Sequence, residues 1–321
     1  MKTALSLGLT PALLLVVFAI CLAIAPTRPP VLGHIADRFE NVNWATLPAL
    51  ETIATRDGSP LAYRRYGEGE NVILALHGSG GAGNALHPLA DALAKTGTTV
   101  IVPDIRGHGS TGRRGDVDYS GQVMDDLDDL LGAVAPEARA TLIGFSMGGG
   151  LALKYAAARP DTTGEVFLLS PYLAYDAAPV TVDNPFAPET VWASPSVPRL
   201  ATLGMLNGVG ITALNHLEVV ALATSEADAD RVVRAYTFRG LRAVNPIDWQ
   251  ADLIAIADRA TLLVGEEDEL HAAHGFASAL SATPDVALIT LPAVDHMGLT
   301  LEADAIARVA AVVSDRTGER K

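Results

Sequence analysis

The chain has 321 residues and a formal net charge of −14, with 49% hydrophobic, 19% charged and 5% aromatic residues. Such a composition supports a large aliphatic core and excludes wholesale disorder. With 23 basic against 37 acidic residues there is no footprint for a phosphate backbone, so no nucleic-acid partner is expected; the single cysteine, Cys21, excludes an internal disulfide framework and a Cys-rich zinc site.

Leu5 to Ala25 is 21 residues without a charge, bounded by Lys2 and Arg28. A helix of that length matches the hydrocarbon thickness of a bilayer. Residues 1–28 are therefore expected to be a single-pass transmembrane helix, with the rest of the chain facing outward. A cleaved signal segment is the alternative, since Ala23-Ile24-Ala25 resembles a small-x-small cleavage site. Residues 29–50 read as a tether.

From Glu51 the pattern turns strand-like. Glu51–Arg56 and Leu61–Tyr66 flank Asp57-Gly58, a hairpin signal. Short apolar runs then alternate with helical ones. Strand-like runs are Asn71–Leu76, Thr98–Pro103, Ala140–Gly144, Glu165–Leu169, Ala260–Val264 and Val286–Leu291. Helical runs are Ala85–Lys95, Gly121–Ala133, Met147–Ala158, His271–Ser281 and Thr300–Ser314. That alternation predicts an α/β fold: a mostly parallel, doubly wound sheet covered on both faces. It breaks after Ser170, where Pro171, Pro179, Pro185, Pro188, Pro195 and Pro198 punctuate the chain. Residues 171–246 are expected to be an inserted helical cap, with amphipathic stretches near Leu200–Leu206 and Ala229–Val244. The core then comprises 51–170 and 247–321.

Gly144-Phe145-Ser146-Met147-Gly148 fits G-x-S-x-G between a predicted strand and a predicted helix, the context of a nucleophile elbow. The turn is tight, so the flanking glycines leave room for it, and the helix N-terminus faces the reacting carbonyl. A passive glycine-rich turn is the bland alternative. With Gly149 this segment resembles the elbow of the α/β-hydrolase superfamily, and most nearly its lysophospholipase and monoacylglycerol-lipase-like group. Asp104-Ile105-Arg106-Gly107-His108-Gly109 and Gly115-Asp116-Val117-Asp118-Tyr119 resemble loops of that group. The similarity runs from about Glu51 to Ser314.

A serine nucleophile needs a base, and the base an orienting acid, in the superfamily's order Ser, acid, His. Leu262-Leu263-Val264-Gly265-Glu266-Glu267-Asp268 is a strand ending in carboxylates. The resemblance puts the acid at Asp268, with Glu266, Glu267 and Glu269 as rivals. His296, in Val294-Asp295-His296-Met297 after the last strand, is the expected base; its neighbour Asp295 should point away from it. Leu76-His77-Gly78-Ser79-Gly80-Gly81 matches the family's H-G-x-G pattern, which implies an oxyanion hole from the backbone N–H groups of Ser79 and Met147, with His77 bracing the loop. The resemblance implies a serine ester hydrolase without a cofactor or metal, and an apolar cap with a membrane address suits a lipid-like ester, such as a monoacylglycerol or lysophospholipid. A short-chain esterase, thioesterase or amidase could use the same residues, and a binding module without turnover is the alternative of another class.

Other signals compete. Gly78-x-Gly80-x-x-Gly83 satisfies a dinucleotide fingerprint, with Asp104 after the next strand; it leaves His77 and the elbow unexplained. Asp104 and Arg106 are expected to brace their loop. His271-x-x-His274 hints at metal but lacks the H-E-x-x-H pattern, so exposed helix histidines are expected. Asp125, Asp126, Asp128 and Asp129 read as a solvated helix face. Leu200, Leu203, Met205 and Leu206 could either line an acyl channel or pack the cap.

Overall fold

The structure is a computed structural model that describes residues 3–174, 177, 191–224 and 231–318. Pro179, Pro185 and Pro188 of the cap loop lie outside the described residues, as does the start of the stretch expected from Ala229.

Eleven strands are present among the described residues: β1 (Glu51–Ala54), β2 (Pro60–Tyr66), β3 (Val72–Leu76), β4 (Thr99–Pro103), β5 (Ala140–Phe145), β6 (Thr163–Leu169), β7 (Ala193–Pro195), β8 (Glu218–Leu222), β9 (Ala235–Thr237), β10 (Ala260–Gly265) and β11 (Ala287–Leu291). Eight form one sheet in the order β1-β2-β4-β3-β5-β6-β10-β11. The β1–β2 hairpin joins antiparallel, and β4 to β11 run parallel. Gly58 takes φ +79° in the hairpin turn, where its lack of a β-carbon removes the steric penalty. Residues buried on both faces explain the unalternated apolar runs: Leu74 and Leu76 enter one core cluster with Leu142, Leu168 and Leu262, while Ile73 and Ala75 enter the other with Ile143, Phe167 and Leu263. The order reverses around β3 and β5, so the crevice at their carboxyl ends is the natural binding position of such a sheet.

The segment 171–246 differs from the expected all-helical cap. Beside the helices Val197–Gly208 and Phe238–Val244 it carries β7, β8 and β9 as an antiparallel sheet. Strands of three to five residues are too short to establish a two-residue period.

The N-terminal expectation is corrected. A helix does form over Thr3–Ala23, but among the described residues no helix is long and apolar enough to cross a membrane. Side chains of this helix are described from Leu13. The helix end docks on protein: Arg199 Nε donates to Leu22 O at 2.7 Å and Ser196 Oγ to Ile24 O at 2.6 Å, supplying donors to carbonyls that a helix terminus leaves unpaired. The single-pass anchor, the membrane partner and the outward placement inferred from it are therefore not supported.

Candidate active site

Ser146 ends β5 and caps the helix Met147–Ala158 with φ 54° and ψ −118°, a conformation that costs a side-chain-bearing residue roughly 1–3 kcal/mol. The surroundings hold it there. Ser146 N donates to Leu169 O at 2.9 Å, and its carbonyl accepts from Gly149 N and Tyr172 N, both at 2.9 Å. A β-carbon on Gly144 would strike the Gly148 carbonyl, and one on Gly148 would strike the Leu76 and His77 carbonyls. Both glycines are therefore required by close backbone approach.

The loops after β10 and β11 bring Asp268 and His296 to the same rim. His296 Nδ1 donates to Asp268 Oδ2 at 2.8 Å, which leaves Nε2 as the acceptor nitrogen. Asp268 Oδ1 accepts from the backbone N–H groups of Leu270 and His271 at 2.9 and 2.7 Å. Burial pushes the Asp268 carboxyl upward, but the His296 imidazole overrides it and holds the group well below the usual carboxylate range. Glu269 accepts from the His296 backbone N–H at 3.1 Å. Asp295 turns away from the ring, pairing with Arg38 and accepting from Gly298 N.

His271 is where reading the sequence fell short. It is 7% exposed, not on an exposed helix face, because the helix begins only at Ala273 and the preceding residues wrap inward around Asp268. Its Nδ1 donates to Ser170 O at 2.9 Å, its ring stands 5.0 Å from that of His296, and burial lowers its pKa to about 4. The signal was its position three residues after an acid whose oxygen must be satisfied by following N–H groups. Asp268, His271 and His296 each offer one ligand atom within 4.8 Å of the others. Two of these side chains already bond each other, so a metal there would compete with the Asp268–His296 pair. His274 is exposed and lies outside that cluster.

The loop after β3 lies against the elbow: a β-carbon on Gly78 would sit 3.4 Å from Ser146 Cβ. Among the described residues neither Ser79 N–H nor Met147 N–H has a protein acceptor. Two cap side chains hold this loop. Trp192 Nε1 donates to Ser79 Oγ at 2.7 Å, and Gly80 N donates to the Tyr236 hydroxyl at 3.3 Å. His77 braces the loop from below, with Nδ1 donating to Gly78 O at 2.8 Å and Nε2 accepting from Ile105 N at 3.2 Å. Ser146 and His296 line one cavity of about 270 Å³ that also contains Ser79 and Trp192.

Comparison with known proteins gives the family. The profile of the family described as "Serine aminopeptidase, S33" (Hydrolase_4) matches residues 67–304, well over half of the chain. The chain belongs to this α/β-hydrolase family. Uncharacterized proteins of Mycobacterium tuberculosis and Mycobacterium bovis are 30% identical over 223 residues, 65% of this chain and 62% of theirs; the match thus spans under two thirds of those relatives' length. An esterase of Mycobacterium tuberculosis is 33% identical over 124 residues, 38% of this chain and 39% of its own. Among solved structures, a soluble variant of the monoglyceride lipase of Saccharomyces cerevisiae superposes with a TM-score of 0.60 at 19% identity, covering 84% of this chain and 94% of that one. The monoacylglycerol lipase of Paleococcus ferrophilus gives 0.58 at 19% identity, covering 80% and 99%. At such identities these two attest the fold.

In this α/β hydrolase the dinucleotide-like glycines 78–83 are spent otherwise. Gly83 N donates to Asp104 Oδ1 at 2.9 Å, and Asp104 Oδ2 accepts from Ser110 N at 2.8 Å, so Asp104 ties the two loops together. Arg106 forms a buried two-pronged pair with Asp126 at 2.6 and 2.7 Å. The acidic run is not a merely solvated face: Asp125 and Asp129 pair with Arg56, and Asp128 with Arg159. In the cap, Leu203 is fully buried while Met205 is 59% exposed, and neither lines the cavity.

Proposed function

We propose that this α/β hydrolase cleaves carboxylic esters through an acyl-enzyme. The observation that carries the reading is the buried Asp268–His296 hydrogen bond beside the strained Ser146 turn. An Nδ1–H committed to the carboxylate leaves the Nε2 lone pair for the proton of Ser146 Oγ, and both residues open on one cavity. Ser146 Oγ attacks the acyl carbonyl while His296 Nε2 takes its proton. The oxyanion that forms is received by the unpaired N–H groups of Ser79 and Met147. The protonated His296 then gives its proton to the departing alcohol oxygen as the C–O bond breaks. Water repeats the sequence on the acyl-serine and releases the acid. Asp268 stays ionised, fixes the imidazole tautomer and stabilises the imidazolium. No hydrogen bond joins Ser146 Oγ to His296 in the free protein; such contacts commonly tighten when substrate binds.

The cavity walls support the substrate class, being mainly aliphatic and aromatic: Leu32, Ile35, Phe145, Trp192 and Leu270 are among them. Apolar walls with few polar groups at one end suit an acyl chain carrying an ester. A lipid-like ester, such as a monoacylglycerol or lysophospholipid, fits that description. The esterase name of the Mycobacterium tuberculosis relative agrees with the reaction class.

A fluorophosphonate probe is expected to label the wild-type chain once, on Ser146, and Ser146→Ala should lose both labelling and ester turnover. Undiminished turnover by Ser146→Ala would exclude the mechanism. Matched oxygen ester, thioester and anilide substrates should rank the ester first.

A further inference from the structure

The cavity beside Ser146 has two unlike walls. One comes from the cap, through Trp192 and Val232. The other comes from Val31, Leu32, Ile35 and Phe39, residues that precede the sheet. This segment is fixed rather than loose. Leu32 and Ile35 are buried in the core cluster of the sheet's second face, against which Phe39 also packs. The backbone turns through the short helix Gly33–Asp37 and a 3₁₀ turn at Arg38–Asn41.

Two clasps hold it. Arg38 bonds Asp295, the neighbour of His296, and Glu302. Further along, Phe39 stacks on Trp44 and Trp44 on His87, with centroids 6.5 and 6.1 Å apart. His87 Nε2 also lies 3.1 Å from Asn43 O. The first clasp ties the segment to the loop that carries His296. The second ties it to the helix His87–Ala94 that follows the oxyanion loop.

We propose that residues 31–39 are a substrate strap: they form the acyl-binding wall opposite the cap and set the acyl-chain preference of the enzyme. The proposal rests on the ester-hydrolase reading above and deepens it. An acyl chain extending from the carbonyl esterified to Ser146 Oγ has apolar surface on both sides only while the strap is in place. A short acyl group ends before it gains from that wall, whereas a medium or long unbranched chain runs along it. Arg38 is a positioning residue. It touches no reacting atom and acts by keeping the strap against the His296 loop.

The test compares kcat/KM for p-nitrophenyl acetate and p-nitrophenyl octanoate in the full chain. Val31→Trp narrows the wall at a half-exposed position, so it carries little folding risk. Ile35→Ala widens the wall, and Arg38→Gln opens the clasp. Each should change the octanoate-to-acetate ratio of kcat/KM by about tenfold, the scale on which a pocket senses one or two methylenes. Val31→Trp and Arg38→Gln should lower the ratio, and Ile35→Ala should move the optimum to longer acyl groups. Arg38→Lys, which keeps the charge, should restore part of the ratio. Turnover and fluorophosphonate labelling with the wild-type ratio in Val31→Trp and Arg38→Gln would overturn the strap and leave the hydrolase reading intact. Absence of labelling and of turnover in the wild type would overturn both.

Discussion

Two histidine pairs stand on either side of Ser146 with nearly the same geometry. His77 and His108 meet edge to face with centroids 5.0 Å apart, and so do His271 and His296. Their hydrogen bonding separates them. In the first pair all four ring nitrogens are engaged. His77 uses Gly78 O and Ile105 N, while His108 donates through Nδ1 to Ile105 O at 3.1 Å and accepts from the Tyr236 hydroxyl at 2.7 Å. Among the described residues, only the Nδ1 atoms of the second pair are engaged, with Ser170 O and Asp268. A ring with both nitrogens bonded is scaffold, because it has no lone pair left for a substrate proton. A ring oriented at Nδ1 and unbonded at Nε2 is equipped for proton transfer. Equal burial and equal spacing say nothing about which is which; the count of satisfied nitrogens does.

That contrast is broken or sharpened most strongly by removing one ring from each pair. His296→Ala is expected to lower kcat by about 10⁶-fold, and Asp268→Asn by about 10⁴-fold with the fold intact, on the scale of such groups in other serine hydrolases. His108→Phe should behave differently. It removes the buried acceptor of the Tyr236 hydroxyl, while the Ile105 carbonyl keeps the backbone N–H of residue 108; the loss should be about 1–3 kcal/mol in stability, while fluorophosphonate labelling persists. Chemical denaturation and labelling read the two effects separately. Loss of labelling in folded His108→Phe would erase the distinction between scaffold and chemistry.

A smaller effect belongs to the cap. The Tyr236 proton is committed to His108, so its oxygen is the acceptor for Gly80 N–H. Tyr236→Phe therefore removes an acceptor from the oxyanion loop and a 3.4 Å contact with Met147 Sδ, while the Ser79 and Met147 N–H groups themselves remain. We expect kcat to fall about tenfold, below the 10²–10³ typical of deleting an oxyanion donor itself, with KM for a short ester little changed. An unchanged kcat would mean that the cap does not tune the loop.

What could be read from the sequence follows from how locally each feature is encoded. Ser146, Asp268 and His296 follow their strands by one, three and five residues, so a strand pattern together with the superfamily resemblance marks them as candidates. The eight-stranded sheet was legible for the same reason. The partners of the acidic run were not: Arg56, Arg106 and Arg159 reach Asp125, Asp126, Asp128 and Asp129 from distant parts of the chain, and local charge pattern carries no trace of them. The strands of the cap are too short to announce a period. The apolar run before Arg28 satisfies a hydropathy rule whatever covers it, and the docking of its end on Ser196 and Arg199 is a tertiary fact. The strap is invisible for a related reason, since Leu32, Ile35 and Phe39 gain meaning only from the cavity they face.

The finest test of the comparison is acid stability, because burial acts on His77, His108 and His271 alike. It lowers the pKa of His77 to about 4, of His108 to about 3 and of His271 to about 4, from an ordinary 6.5. In the unfolded chain these rings take up protons as pH falls through about 6.5, while the folded protein refuses them until about 4. Between those values the unfolded state binds more protons, so stability must fall as pH falls, by up to about 1.4 kcal/mol per pH unit for each ring. Above pH 6.5 the contribution is complete. Asp268 acts lower down: its carboxyl is held below the ordinary range, so its contribution is present above the unfolded value and lost only as pH drops below it. The midpoint of urea unfolding should therefore decline steadily from pH 7 to pH 5. His271→Gln, which keeps a donor for Ser170 O, should make that decline shallower by one ring's share. A wild-type midpoint unchanged between pH 7 and 5 would mean that these rings protonate in place, and the neutral tautomers assigned to His77, His108 and His271 would have to be abandoned.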